Sequence, residues 1–432
     1  MKKQHIAIIG AGTAGLALAR ILAHQQHEIT IIEKASEMEN VGAGILLQPA
    51  GLAVFEHLGV LDEALKLGCR VNGLEGQLAN GHLLVNSHYR EVAPHCFGLG
   101  MHRASLCHVL MQNLQHPSNN REMIHWHMGT EISEIVPSGQ RMQLIGQISN
   151  QHAFQQTFDA VIIANGARSQ LRPKQWIKLD KPYPWGAAWC IVPACTTLDG
   201  NILHQFYDGA STMMGILPTG AVPQQTDQPL SSVFWSMPTP HISSWLKDNS
   251  NRDIWLKSVE QRWPVAAEWL AQVVVSHQQW LPAHYRDVVL SRYGEGRIGI
   301  IGDAAHAMSP QLGQGVNMAL LDAWALGKAI GQASEWDKVW DNYHQQRLSS
   351  IRFYQWLSRT LTPFYQSHRR DLGWLRDAGF SWMYRIPWLR KQMAHTIAGI
   401  KHNPLQDMSL QEISTPLTEQ QSIDSNITSV QV

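Results

Sequence analysis

Three groups of residues in this chain have types and spacings suited to chemistry. The first is Gly10-Ala11-Gly12-Thr13-Ala14-Gly15, set between the apolar run Ile6 to Ile9 and the helix-forming run Leu16 to Ala23. A second apolar stretch, Glu28 to Ile32, follows and ends in Glu33-Lys34. Each glycine has a task in such a strand–turn–helix unit. Gly10 allows the tight turn, Gly12 lets a pyrophosphate approach the backbone, and Gly15 lets the helix lie close to the strand. Ala14 sits on the same first helical turn. The free N–H groups and the dipole of the helix start attract phosphate. Glu33 can accept hydrogen bonds from an adenosine ribose. Its charge repels a 2′-phosphate, so the pattern predicts FAD or NAD rather than NADP, an inference the neighbouring Lys34 blunts.

The second group lies at Arg297 to Ala323. The apolar run Ile298 to Ile301 ends in Gly302-Asp303, an acid suited to the hydroxyls of a polyol chain. A loop with Pro310, Gly313 and Gly315 then leads through Val316 to a helix beginning near Asn317. Such a helix start carries partial positive charge, which suits the negative N1–O2 side of a reduced isoalloxazine. The third group is Asp159 to Ser169, a strand that runs into Asn165-Gly166.

Taken together, GAGTAG and GDAAHAMSPQLGQGVN resemble the flavoprotein aromatic hydroxylases of the para-hydroxybenzoate hydroxylase type, the single-component FAD monooxygenases. By motif order the resemblance covers most of residues 1–345. It implies that Asp303 binds the ribityl chain and that Pro310, Gly313, Gly315, Val316 and Asn317 lie against the flavin ring. Val41 to Ile45, followed by Pro49, resembles the strand that passes the flavin, and Leu58 to Asp62 the helix end after it. Arg103 matches an arginine on the ribityl and phosphate side. Where the family has Asp-Gly, this chain has Asn165-Gly166. An amide keeps the size and the hydrogen bonding but loses the charge, so FAD binding should survive, while the usual nicotinamide-driven reduction is in question. The resemblance further implies NADH or NADPH as reductant, without a second dinucleotide domain. It implies oxygen transfer from a flavin C4a-hydroperoxide to an electron-rich ring, the cofactor carrying the hard chemistry. A reductase or dehydrogenase on the same scaffold is the alternative. A halogenase lacks support, because Trp185-Gly186-Ala187-Ala188-Trp189 does not match that branch. A non-catalytic binding protein sits poorly with intact flavin motifs.

The elements that must position these residues follow from pattern. The fold class is α/β: a Rossmann-type FAD-binding domain of three-layer ββα character, interleaved with an antiparallel-sheet substrate domain and followed by helices. The cofactor domain is expected at 1–72, 97–175 and 289–345, and the substrate domain at 73–96 and 176–288. C-terminal helices are expected at 346–403 and a disordered tail at 404–432. Asn80-Gly81 between apolar runs signals a hairpin. Trp185 to Val192, Asn201 to Tyr207, Met213 to Leu217 and Val233 to Met237 read as strands. Ser258 to Val275 reads as a helix that Pro264 splits. Trp336, Trp340, Tyr343 and Arg347 share one helix face.

Pocket candidates are Gln48, Trp185, Trp189, Met213, Met214 and Pro310. His204 and Tyr207 are the candidate bases for a phenol or enol. Strand alternation sets His204 and Phe206 on one face, with Leu203, Gln205 and Tyr207 on the other, and either face can be the one toward the ligand.

Composition bounds the rest. The 432 residues carry 34 Lys plus Arg and 34 Asp plus Glu, a balance that argues against a nucleic-acid partner. The partners expected are a small aromatic substrate and O2. Five cysteines without a CxxC pair fit a reducing cytoplasm, and no metal-ligand spacing appears among the 22 histidines. There are 17 tryptophans, sixteen of them after residue 170. Through the resemblance they mark the region that adapts to substrate, which points to a bulky apolar aromatic ligand. The aromatic and basic stretch Phe380 to Lys391 could pack on the cofactor domain or lie on a membrane surface. The oligomeric state is open.

Overall fold

The computed structural model describes all residues except 39–41, 113, 115–122, 150–151, 249, 277–278 and 418–432, and leaves out the side chains of 370, 381 and 382. Val41 of the flavin-passing segment is therefore outside the described residues.

Near-continuous apolar runs build the central sheet. It joins β1 (His5–Ile9), β2 (Glu28–Ile32), β8 (Ile124–His127), β12 (Ala160–Ile163), β18 (Gly294–Glu295) and β19 (Ile298–Ile300) in the order β18-β19-β12-β1-β2-β8. All pairs are parallel except β18 with β19. Buried on both faces, these strands have no need to alternate. α1 (Thr13–His24) covers one face and packs on α9 (Gly315–Gln332), which is apolar nearly all round.

Two smaller sheets flank this one. One joins β3 (Gly44–Leu47), β4 (Cys69–Val71) and β7 (Gly98–His102); the other joins β9 (Thr130–Ser138), β10 (Arg141–Ile148) and β11 (His152–Phe158). α2 (Pro49–His57), α3 (Leu61–Leu67) and α4 (Arg103–Met111) pack on the first of these, each touching β7.

The remaining strands form a seven-stranded sheet. The Asn80-Gly81 hairpin, β5 (Gly73–Leu78) with β6 (Leu83–His88), joins β13 (Ile177–Pro193), β14 (Ile202–Asp208), β15 (Thr212–Val222), β16 (Gln225–Pro238) and β17 (Trp280–Leu290). The predicted strands lie inside these longer ones. Pro264 splits the predicted helix, since α6 (Asn251–Arg262) ends before it and α7 (Pro264–Val273) begins on it; α5 (Thr239–Lys247) precedes them.

Pairing fixes the two faces of this sheet. Phe206 lies opposite Met214, and His204 opposite Ile216. Phe206, Met214, Ile216 and Val233 then pack against Trp255, Trp263, Trp269 and Trp280. This corrects the reading of the tryptophans. Much of the excess is a rigid filling between the back of the sheet and α5 to α7, with rings meeting edge-on, such as Trp235 with Trp255 at 6.1 Å and Trp255 with Trp280 at 5.1 Å. Indoles suit that layer because each buries a large apolar area in a fixed shape.

The chain ends in α10 (Trp336–Tyr365), α11 (Arg370–Met383), α12 (Pro387–Ile397) and α13 (Leu410–Ser414). Trp336, Trp340, Tyr343 and Arg347 are buried along α10 as the spacing predicts. The tail expected from 404 needs correction. Residues 404–417 are described, and α13 packs on α2 with Ile413 buried and Lys328 pairing with Glu412 at 2.6 Å. Ile413 is the buried anchor of this segment, and Met408, Leu410 and Leu417 pack beside it on the core. Residues 418–432 lie outside the described ones.

Candidate functional site

Register brings the sequence groups together. Ile9 pairs with Ile163, and Ile163 with Ile300. Gly10, Asn165 and Gly302-Asp303 therefore leave the C-terminal ends of adjacent parallel strands, where open α/β sheets bind ligands.

The three N-terminal glycines have separable roles. Gly10 has φ +111°, and a Cβ there would sit 2.5 Å from the Ala164 carbonyl oxygen. At Gly15 it would sit 2.0 Å from the Gly10 oxygen. At Gly12 nothing lies within 4 Å, so that glycine is spare for the fold and open for a phosphate. Ala14 is buried against Gly302. The Glu33 carboxylate accepts from Ala11 N (2.8 Å) and Ala35 N (3.0 Å), which fixes it at the crevice edge. Lys34 turns away to pair with Glu131 at 2.7 Å.

Asp303 opens α8 (Asp303–His306). Burial raises its pKa, against the opposing charges of His306, Arg103 and Arg172. Arg103 therefore stands close enough to act on the Asp303 side of the crevice, and its stem packs against Gly42. Asn165 is exposed at the end of β12. Its turn is held instead by Arg172, which donates to the carbonyls of Ala167 (2.8 Å), Ser169 (2.6 Å) and Ala304 (2.6 Å) and pairs with Asp180 at 3.0 Å.

The second glycine loop continues from Pro310 through Gly313, at φ +61°, to the start of α9. Asn317 accepts from Gln48 N (2.9 Å) and donates to Gly313 O (3.2 Å), tying strand β3 to the loop. Gln48 is fully buried; its Oε1 accepts from the Tyr89 hydroxyl, while its Nε2 has no protein partner. An amide with a free donor facing Gly313, an open Gly12 and a fixed Glu33 together fit FAD.

Under the loop sits a buried network that sequence reading missed. Asp322 accepts from Gly302 N (2.9 Å), His306 Nε2 (2.5 Å) and Arg347 Nε (2.9 Å). Burial alone would raise its pKa, but His306 and Arg347 hold it down at about 2. The available signal was an acid alone in the apolar run Met318 to Leu326. Arg172 gave no such signal, because its partners are backbone carbonyls.

In the large sheet, pairing shows which set of strand residues packs toward the β3–β7 sheet and the main core. Gly44 N donates to Ser232 Oγ (3.0 Å), and Leu217 and Leu203 join the main core. That is the face of Gln205, Tyr207 and Met213, and of Trp189 and Trp185. α10 links this face to the loop. Ser309 Oγ bonds Ser358 (2.8 Å) and Thr362 (2.6 Å), while Gln366 donates to Ser236 Oγ (2.8 Å). His204 and Met214 are on the opposite face, a correction for both. His204 meets the Asp199 carbonyl at 3.1 Å beside a cavity of about 220 Å³ that Cys69 and Cys195 also line. Met214 is sealed in the tryptophan layer. Strand parity makes this all or none, since His204 cannot join Tyr207 without a bulge. Tyr207 is buried, donates to Gln205 Oε1 (2.9 Å), and has its pKa pushed well up by burial. It is therefore a neutral hydrogen-bonding group at ordinary pH and not a base. Trp189 donates to Tyr285 at 3.1 Å, and Trp185 packs on His368.

The model of one family, described as an FAD binding domain, matches residues 3–353. The chain belongs to that family. The 3-hydroxybenzoate 6-hydroxylase of Klebsiella oxytoca is 23% identical over 88% of this chain and 95% of its own. The 3-amino-4-hydroxybenzoate 2-monooxygenase of Streptomyces cremeus is 26% identical over 74% and 77%. Among solved structures, a variant of Klebsiella pneumoniae HpxO complexed with FAD superposes with a TM-score of 0.74 at 19% identity, covering 92% of this chain and 99% of that one. Pseudomonas aeruginosa PqsL in complex with 2-aminobenzoylacetate gives 0.72 at 20%, covering 88% and 100%. This chain is an FAD-dependent monooxygenase of the aromatic hydroxylase type.

Proposed function

We propose that this enzyme hydroxylates a neutral aromatic ring held between the Tyr207 face of the large sheet and the Pro310–Gly313 loop. In this reading residues 1–72, 97–175 and 289–345 serve the cofactor, and 73–96 with 176–288 serve the substrate. The single observation that carries it is that α10 bonds the loop while Gln366, which caps its C-terminal end, bonds that sheet face. Bound FAD supplies hydride acceptance and oxygen activation. The balance is ring C–H, O2, NAD(P)H and a proton giving ring C–OH, NAD(P)⁺ and water.

The chain's own residues bind and orient. Glu33 takes the adenosine ribose, Gly12 and the α1 start the phosphates, and Asp303 and Arg103 the ribityl side. The α9 start and Gln48 Nε2 face the ring. Tyr207 offers a hydrogen bond to a substrate oxygen, with Gln205 as its present acceptor. Tyr365, Phe380 and Tyr384 close on Tyr207 and keep water out. Substrate neutrality is supported by that face: Gln205, Tyr207, Gly215, Leu217, Phe234 and Ser236 are uncharged, and the Arg376 guanidinium that lies over Tyr207 is already paired with Asp377.

The test is a screen of neutral phenols and quinolones beside hydroxybenzoates. It would read substrate-stimulated NAD(P)H oxidation and uptake of label from ¹⁸O2 into product. Neutral rings should be the better substrates. Efficient oxygen-independent turnover with no labelled product would mean a reductase instead.

A further inference from the structure

The last helices carry a surface that the monooxygenase reaction does not use. α11 presents Asp371, Trp374, Leu375 and Ala378 outward, at the spacing of one helix face. Trp374 is 73% exposed and Leu375 52%. α12 begins with Trp388, 61% exposed, beside the exposed Arg385 and Lys391. Both helices lie against β6, the edge strand of the large sheet. The inner side of α11 is firmly seated: Gly373 packs against the Gly209 turn, and the Arg376 guanidinium lies about 5 Å over the rings of Tyr207 and Tyr365. The exposed tryptophans are thus presented on a fixed platform.

Charge says what the platform meets. The whole chain is balanced, yet residues 369–391 hold six Lys and Arg against two Asp and Glu. Arg369, Arg376 and Arg390 are paired with Asp371, Asp377 and Glu91, which leaves Arg385 and Lys391 among the described side chains as the exposed cations beside Trp388. We propose that the outer faces of α11 and α12 dock in the plane of an anionic lipid surface, with Trp374 and Trp388 at headgroup depth and Arg385 and Lys391 on the phosphates. Tryptophan flanked by basic residues is the composition of an interfacial helix. No helix among the described residues is long and apolar enough to cross a membrane, so the contact is peripheral. A second copy of the chain is the poorer occupant, because a two-fold contact would set this cationic patch against itself. Docking does not depend on which ring is hydroxylated.

The experiment is vesicle flotation of the purified, FAD-loaded full chain, with phosphatidylcholine vesicles and with vesicles that also contain phosphatidylglycerol. The parent should float with the anionic vesicles, much less with the neutral ones, and less as salt rises. Trp374→Ser with Trp388→Ser should lose flotation while keeping flavin absorbance and turnover of soluble substrate. Arg385→Gln and Lys391→Gln should each weaken partitioning about fivefold at low salt. No flotation with anionic vesicles, or a double tryptophan variant that floats like the parent, would overturn the proposal. So would a concentration-dependent dimer that the tryptophan variant dissolves.

Discussion

Asp322 ties the Gly302–His306 turn to α9 and α10. It holds Gly302, His306 and Arg347 at once in a site closed to water. Asp322→Asn leaves Arg347 buried without its counter-charge, and breaking a buried pair this way costs about 3–5 kcal/mol. Urea unfolding of the apoprotein should show a loss of that size, with a matching fall in bound FAD. The sign with pH follows from its pKa of about 2 against an ordinary value of 3.8. The stabilisation is fully present above the unfolded value and is lost as pH falls from about 4 toward 2, a loss of roughly 2 kcal/mol. Acid unfolding of the Asn variant should lack that part of the transition. At Tyr207, removing the hydroxyl with Phe should lower kcat/KM about 2- to 13-fold, the net value of one hydrogen bond to a neutral partner. Because burial drives this phenol above its ordinary pKa, the parent's pH–rate profile should show no limb from it below pH ~10. A tyrosine-dependent limb near neutrality would assign Tyr207 a base role after all.

Among the elements, the turn after β12 separates what Asn165 does from what Arg172 does. Five-fold anchoring by Arg172 to backbone carbonyls and Asp180 sets the turn, while Asn165 stands exposed at its start. Asn165→Asp should therefore leave FAD content unchanged by absorbance. Arg172→Met should strip most of the FAD, and lysine should rescue little, since it lacks the planar fork of donors. The Asn165-Gly166 pair was legible in the sequence as a departure from the Asp-Gly pattern. Its anchor was not, because carbonyl partners leave no trace in residue type.

At the scale of the whole molecule, a late segment packs back on an early one. α13 returns to α2, and Ile413→Ala should cost about 2–4 kcal/mol through the emptied space. Thermal unfolding should show the loss, and a chain ending at 403 should show at least as much. The tryptophan layer behind the sheet is a stability element in the same sense. Trp263→Ala should cost about 3–5 kcal/mol, with KM for the substrate unchanged in whatever fraction remains folded. A changed substrate preference would return Trp263 to the substrate side.

The sequence by itself determined the cofactor, FAD, and the strand–glycine–helix turns that open toward it. Glycines that must be glycines, an acid at a strand end and a helix start are local requirements, and local requirements are written in order along the chain. Gly10, Gly12, Gly15, Glu33, Asp303 and the Pro310–Asn317 loop were legible for that reason. Only the tertiary structure decided which face of the large sheet meets the loop. Strand alternation offers two faces of equal standing, and the choice is made by what packs on each: the indole layer took Phe206 and Met214, so Tyr207 and Met213 went to the other side. His204 was a base candidate on spacing and lost that role through strand parity. The Asp322 and Arg172 networks were decided at the same level, since their partners lie up to 132 residues away along the chain and meet only once the core has formed.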